Sequence, residues 1–219
     1  MEDTVGGVDE AGRGCLAGPL VVAGVSVSKA GAAALRELGV RDSKTLTPKR
    51  REALYKEVRR VCDKVRWVGI PPAEIDSVVF AGRRYRRLNH LEAVYFAKVI
   101  DSLGADLVTV DAADTLPSRF RAVIVENMEK RCKVVASHKA DRDDVVVGAA
   151  SIVAKVQRDR AVERLRAEYG DFGSGYPSDP DTRAFFSNLV GRGESLPDYV
   201  RKSWKTWGSL GPSAPGRVS

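Results

Sequence analysis

Histidine is nearly absent from this chain: His90 and His138 are the two in 219 residues. They stand far apart in sequence, which argues against a zinc site built on histidine and leaves carboxylates as the main donors for any metal. Cysteine is scarce as well. Cys15, Cys62 and Cys132 are an odd number at scattered spacing, so they make neither a disulfide framework nor a CxxC metal pair. A reducing cytosol suits them, and each is expected to be a small buried residue. Long apolar runs are missing too: none approaches the roughly 20 residues that a membrane span needs. The first residues, Met1-Glu2-Asp3-Thr4, are acidic and lead straight into an apolar strand pattern. They lack the basic region and apolar stretch of a secretory signal. A cytoplasmic protein with no membrane partner is therefore expected.

What is present is an ordinary globular balance, 43% hydrophobic and 30% charged, which excludes wholesale disorder, collagen and coiled coil. Lys and Arg number 36 against 29 Asp and Glu, a net charge of +7. A surplus of that sign favours an anionic partner such as nucleic acid, and says nothing of the fold.

The chain reads as strands alternating with helices, hence a layered α/β domain. Strands are expected at 5–9, 20–27, 64–70, 106–110 and 132–136, where valine and isoleucine concentrate. Helices are expected at 48–61, 73–80, 86–102, 119–130 and 146–169. Thr47 followed by Pro48 is a good helix start, and Gly170 a good stop. The pattern divides into an α/β domain over 1–170, a small helical extension over 171–207, and a Gly/Ser/Pro-rich tail over 208–219 expected to lack fixed structure.

The sharpest local feature is Val8-Asp9-Glu10-Ala11-Gly12-Arg13-Gly14. Two acids close an apolar strand, and a glycine-flanked arginine follows. Neighbouring side chains in a regular strand point to opposite faces. Both acids can then serve one site only if the backbone leaves the pleat near Glu10. Gly12-x-Gly14-x-x-Ala17 imitates a dinucleotide-binding fingerprint, but that fingerprint opens a helix. Here Gly18-Pro19 and a valine-rich strand follow instead. Further acids stand at or just past strand ends: Asp111 after Val108-Thr109-Val110, and Asp141 after 132–136. Functional residues of α/β sheets collect at such ends. Asp114, Asp143 and Asp144 are read as ordinary loop acids. Four carboxylates without histidine or thiolate suit Mg²⁺ or Mn²⁺. Two such ions about 4 Å apart can activate a water and stabilise the leaving oxygen of a phosphodiester. The residues alone thus suggest metal-dependent phosphoryl chemistry on an anionic polymer of unspecified kind.

The run Asp9-Glu10-Ala11-Gly12-Arg13-Gly14 with Ala17-Gly18-Pro19 resembles the opening motif of type 2 ribonucleases H. Asp42-Ser43-Lys44, Val110-Asp111-Ala112, His138-Lys139-Ala140-Asp141 and 149–155 are similar to that family's later motifs. The stretches 170–180 and 201–206 resemble its archaeal and eukaryotic branch, and the order is kept over roughly residues 5 to 207. The resemblance implies a ribonuclease H-like fold, a mixed five-stranded sheet flanked by helices with a small C-terminal helical extension. It implies a monomeric endonuclease that cuts the RNA of RNA–DNA hybrids and cuts beside ribonucleotides embedded in duplex DNA. Cleavage on the 5′ side would leave 5′-phosphate and 3′-hydroxyl ends, as ribonucleotide removal in replication and repair requires.

By motif position, Asp9, Glu10, Asp111 and Asp141 would be the metal-binding catalytic acids. Gly12, Arg13 and Gly14 would read the 2′-hydroxyl, Tyr176 would stack on the neighbouring sugar, and Ser43, Lys44 and Lys139 would approach phosphates. Glycine permits close backbone approach, and the 2′-hydroxyl is what separates RNA from DNA. His138 is expected to be satisfied by a backbone hydrogen bond. Cys15 stands where the family often has proline, and Ser137 where the archaeal branch usually has glutamate; neither touches the acids. The C-terminus lacks the glutamine-plus-paired-aromatic motif by which some members bind the sliding clamp, so that partner is unsupported. Two rivals remain at this point: a non-catalytic nucleic-acid-binding module, and a DNA nuclease of the same broad fold.

Overall fold

The computed structural model describes residues 4–40, 46–81 and 84–210, with the backbone alone at 84–87. Five strands form one mixed sheet: β1 (Val5–Ala11), β2 (Leu20–Val27), β3 (Lys64–Ile70), β4 (Leu107–Asp111) and β5 (Lys133–Ser137). Their order is β3-β2-β1-β4-β5. The β1–β2 and β2–β3 pairs are antiparallel, and β1–β4 and β4–β5 parallel. This is the mixed five-stranded sheet that the sequence led us to expect. Every residue of β2 is buried, because helices cover both faces of the sheet there.

Among the described residues eight α-helices follow one another: α1 (Lys29–Glu37), α2 (Pro48–Val61), α3 (Pro72–Phe80), α4 (Arg84–Leu103), α5 (Pro117–Glu126), α6 (Ala140–Asp143), α7 (Val145–Tyr169) and α8 (Pro180–Gly191). Alternation along β2 sends Val21, Ala23, Val25 and Val27 to a core shared with α1, α2 and α7. Leu20 and Val22 go to the opposite core, with Phe96 of α4 and Phe120 of α5. Among the described residues no helix is long and apolar enough to cross a membrane.

The helix starts behave as their chemistry dictates. Thr47 accepts from the Arg50 amide at 3.3 Å, and Asp144 caps α7 by accepting from the Val146 amide at 2.8 Å. Asp144 is thus a cap, as a loop acid should be. The first turns of α7 are buried all round, since they lie against the sheet on one side and under α1 and α2 on the other. Contact with the sheet is closest at Gly7, where a Cβ would stand 2.4 Å from the Val146 carbonyl carbon.

Several elements differ from expectation. Helices α1 and α6 have no counterpart in the sequence reading, and α5 ends at Glu126 because Asn127 closes it. The segment after α7 shares the core of the sheet: Phe172, Phe186, Tyr199 and Trp204 pack in one cluster with Val8 and Val110. Gly208 and Ser209 complete a 3₁₀ turn, Lys205–Ser209, and Leu210 is buried. Packing therefore runs past the expected boundary at 207, and 211–219 lie outside the described residues.

Candidate active site

Parallel pairing brings the C-terminal ends of β1, β4 and β5 to one edge of the sheet. Asp9 lies in β1, Asp111 closes β4, and Asp141 sits at the second position of α6, just beyond β5. One carboxylate oxygen from each lies within 4.8 Å of the others. Asp9 and Asp141 are each 4% exposed. The Asp9 carboxylate accepts from the Glu10 amide at 2.8 Å and bonds the Ser151 hydroxyl on α7. Asp111 accepts from the Ala140 amide at 3.1 Å, which fixes the start of α6 against the end of β4. The turn into α6 needs a left-handed residue, supplied by Lys139 at φ 59°. Glycines aside, it alone among the described residues has a positive φ. Such a conformation costs an L-residue about 1–2 kcal/mol, and here it turns the chain so that Asp141 faces Asp111.

Burial pushes the Asp9 carboxyl up to about 6, and the charges of Asp111 and Asp141 add to the shift. Glu10 is raised well above its ordinary value, by burial first and then by Asp9, Glu92 and Asp111. Three acids gathered out of water destabilise one another unless a cation offsets them. The donor set, all carboxylate oxygen, fits a hard divalent ion.

Glu10 requires a correction. The backbone does not leave the pleat: β1 stays paired with β2 through Glu10↔Val22 and Ala11↔Val21. Glu10 therefore points to the face opposite Asp9 and is outside the three-acid group. The β1–β4 ladder stops at Val8↔Val110, so Glu10 projects past the end of β4, where the sheet no longer screens it from Asp111. Its Oε2 is buried and accepts no hydrogen bond.

Past Ala11 the chain turns at Gly12, with φ 89° and room for no side chain: a Cβ would stand 2.8 Å from the Pro19 oxygen. A Cβ on Gly14 would meet nothing within 4 Å. The loop's carbonyls are held by Arg201, a fully buried guanidinium. It donates to Gly12 O at 2.6 Å, Arg13 O at 2.8 Å and Gly18 O at 3.2 Å. The Arg13 side chain turns inward to Glu92 and Asn89 of α4. Tyr176 lies beside the loop, its ring 4.5 Å from the Arg158 guanidinium, and Arg158 also donates to Cys15 Sγ at 3.0 Å. Lys139 is exposed next to Asp141. His138 Nε2 is 3.3 Å from Thr115 O, the backbone partner expected of it. Ser43 and Lys44 lie outside the described residues. Cys15 and Cys62 are buried, whereas Cys132 is half-buried.

Sequence reasoning missed Glu92, Asn89, Asp114, Arg158 and Arg201. One signal was available for Glu92: it interrupts the apolar stripe Leu88, Phe96, Ile100 and Leu103 of α4.

A family model for ribonuclease HII matches residues 6–207. The chain belongs to the ribonuclease HII family. The ribonuclease HII of Thermococcus kodakarensis is 48% identical over 204 residues, covering 92% of this chain and 87% of the relative. The crystal structure of ribonuclease H2 from Pyrococcus horikoshii superposes with a TM-score of 0.85 at 40% identity, covering 94% of this chain and 96% of that one. Ribonuclease HII from Archaeoglobus fulgidus, solved in complex with PCNA, matches at a TM-score of 0.82 and 41% identity, over 94% of this chain and 96% of that one. A ribonuclease HII is an endoribonuclease of RNA–DNA hybrids.

Proposed function

We propose that this ribonuclease HII also cleaves on the 5′ side of single ribonucleotides embedded in duplex DNA, with Asp9, Glu10, Asp111 and Asp141 as its metal-binding acids. The observation that carries this reading is the three-acid group beside a loop whose Gly14 faces open space. A side chain missing where nothing inside the protein would fill the room leaves that room to a ligand.

Mg²⁺ or Mn²⁺ held by these acids, as a pair, would supply an activated water and charge stabilisation for the leaving oxygen. The protein's own groups position the reactants. The amide of Ala140 and the hydroxyl of Ser151 orient Asp111 and Asp9. Arg201 takes up the carbonyls of Gly12 and Arg13, so the loop backbone presents a fixed edge to the ribose 2′-hydroxyl. Tyr176, oriented by Arg158, offers a flat face to the next sugar, and Lys139, with Ser43 and Lys44, approaches phosphates. In the hydrolysis, water oxygen bonds to phosphorus and the P–O3′ bond breaks. The O3′ gains a proton to become the 3′-hydroxyl, and the phosphate stays on the 5′ end of the ribonucleotide. Residues 1–170 carry the acids and 171–207 brace the reading loop. Such cuts suit ribonucleotide removal during replication and repair in the cytoplasm, by a monomer.

The test offers three substrates: a DNA duplex with one ribonucleotide, an RNA–DNA hybrid and plain DNA, each with Mg²⁺, Mn²⁺ or a chelator. Metal-dependent cutting confined to the first two is expected. Asp111→Asn should lower turnover on both by at least about a thousandfold without altering the far-ultraviolet circular dichroism. Cleavage of plain DNA, or near-normal activity of the variant, would remove this reading.

A further inference from the structure

Arg13 is oriented against habit for an arginine in an exposed loop. Its Nε donates to Glu92 Oε1 at 2.8 Å and its Nη2 to Asn89 Oδ1 at 2.5 Å, so the guanidinium faces helix α4, and the exposed residue of the loop is the next one, Gly14. Asn89 passes the contact on, donating through Nδ2 to Asp114 Oδ2 at 2.9 Å. Asp114 in turn accepts from Arg119 of α5 and from the Leu116 amide at 2.9 Å. The chain of bonds joins the loop after β1 to the loop after β4, each of which follows one of the acids.

Glu92 is an expensive way to fill its position. Its side chain is wholly inaccessible and its Oε2 is buried without a hydrogen-bond partner. It also lies close enough to the buried Glu10 to disfavour that residue's charge. A buried ion pair with an unsatisfied oxygen contributes less to stability than apolar side chains of similar volume. Stability alone therefore gives no reason for a carboxylate here. Its side-chain hydrogen bond goes to Arg13 and bears on where that guanidinium points. Arg201 holds the loop by its carbonyls, and Glu92 holds it by its side chain, from α4. Between them the backbone at Gly14 is left facing outward.

We propose that Glu92 is a positioning residue for substrate selection: by anchoring Arg13 it fixes the loop edge that distinguishes a ribonucleotide from a deoxyribonucleotide. This rests on the reading of residues 12–14 as the part that meets the 2′-hydroxyl. Glu92 touches no substrate. Its loss would let Arg13, whose side chain is already 34% exposed, swing to solvent and would free the loop to sample other conformations.

The experiment measures steady-state cleavage of a single-ribonucleotide duplex in Mg²⁺, with the all-DNA duplex of the same sequence as competitive inhibitor. Selectivity is the ratio of the inhibition constant to KM. In Glu92→Leu this ratio should fall by about tenfold, which corresponds to losing one charge-assisted hydrogen bond, while the inhibition constant for plain DNA stays unchanged. Glu92→Gln retains an acceptor and should fall about threefold. Thermal melting of both variants should match or exceed the wild type. Equal weakening of both ligands would mean a merely structural role and overturn the proposal. So would a wild-type ratio retained in Glu92→Leu, or in Glu92→Gln if the leucine variant does not fold. A wild type that binds plain DNA as well as the ribonucleotide duplex would overturn the loop reading itself, a result distinct from a wild-type preference that the variants leave intact.

Discussion

Gly12 and Gly14 stand two residues apart and answer to different demands. Gly12 is required by the fold, through its positive φ and the Pro19 oxygen that would crowd a Cβ. At Gly14 the fold requires nothing. The two variants should therefore separate stability from activity. Gly14→Ala is expected to melt within about 1 °C of the wild type, because surface changes of this kind stay within about 0.5 kcal/mol. Its kcat/KM on a single-ribonucleotide duplex should fall by at least about tenfold if the sugar approaches there as proposed, since the added methyl group would occupy that space. Full activity in that variant would show that the sugar does not approach there. Glu10 offers a related lesson. Its alternation with Asp9 was legible from strand geometry alone, yet the expected remedy, a break in the pleat, does not occur. Glu10 stays paired with Val22 and projects past the last β1–β4 pair, Val8↔Val110.

At the scale of elements, Asp114 acts as the joint between α4, α5 and the end of β4. Burial opposes its ionisation, but Arg119, the Leu116 amide and Asn89 outweigh that and hold its carboxyl far below the ordinary aspartate range. A depressed carboxyl contributes stability above its unfolded pKa, about 3.9, and loses it as pH falls toward the folded value. Asp114→Asn should thus lower stability at pH 7 by about 1–3 kcal/mol. In urea melts the gap from the wild type should be constant above about pH 5 and should narrow below about pH 4. A gap independent of pH would mean that the charge of Asp114 contributes nothing.

The strands were legible because their valine-rich runs leave few alternatives, and β2, buried on both faces, is the extreme case. Helix α1 was not, because it is only nine residues long, carries Gly31 in its first turn, and has a weak cue in its Ser28 cap. The three clustered acids could be read from strand ends, since parallel pairing brings strand ends together. Arg201 could not, and Glu92 only as a break in the apolar stripe of α4, because their partners lie 189 and 79 residues away, and sequence spacing says nothing about contacts at that range.

For the whole molecule, the net charge of +7 conceals a local opposite. The edge proposed to meet phosphates contains the acids Asp9, Asp111 and Asp141. Without divalent ions such an edge should repel nucleic acid. Asp141→Asn should bind an RNA–DNA hybrid more tightly than the wild type in a chelator, by about fivefold, the effect of one unit charge near a phosphate in water. The advantage should vanish or reverse in excess Mg²⁺. Fluorescence anisotropy in both buffers reads the two cases, and equal affinities in the chelator would exclude the repulsion. The loop beside those acids has a further property. It is made of residues 12–18, but it is held from far along the chain by Gly175, Tyr199 and Arg201. During synthesis it emerges ahead of these partners, the farthest of which stands 189 residues further along the chain. If this loop meets the sugar as proposed, the part that reads the substrate is set only after Gly175 and Arg201 have been made.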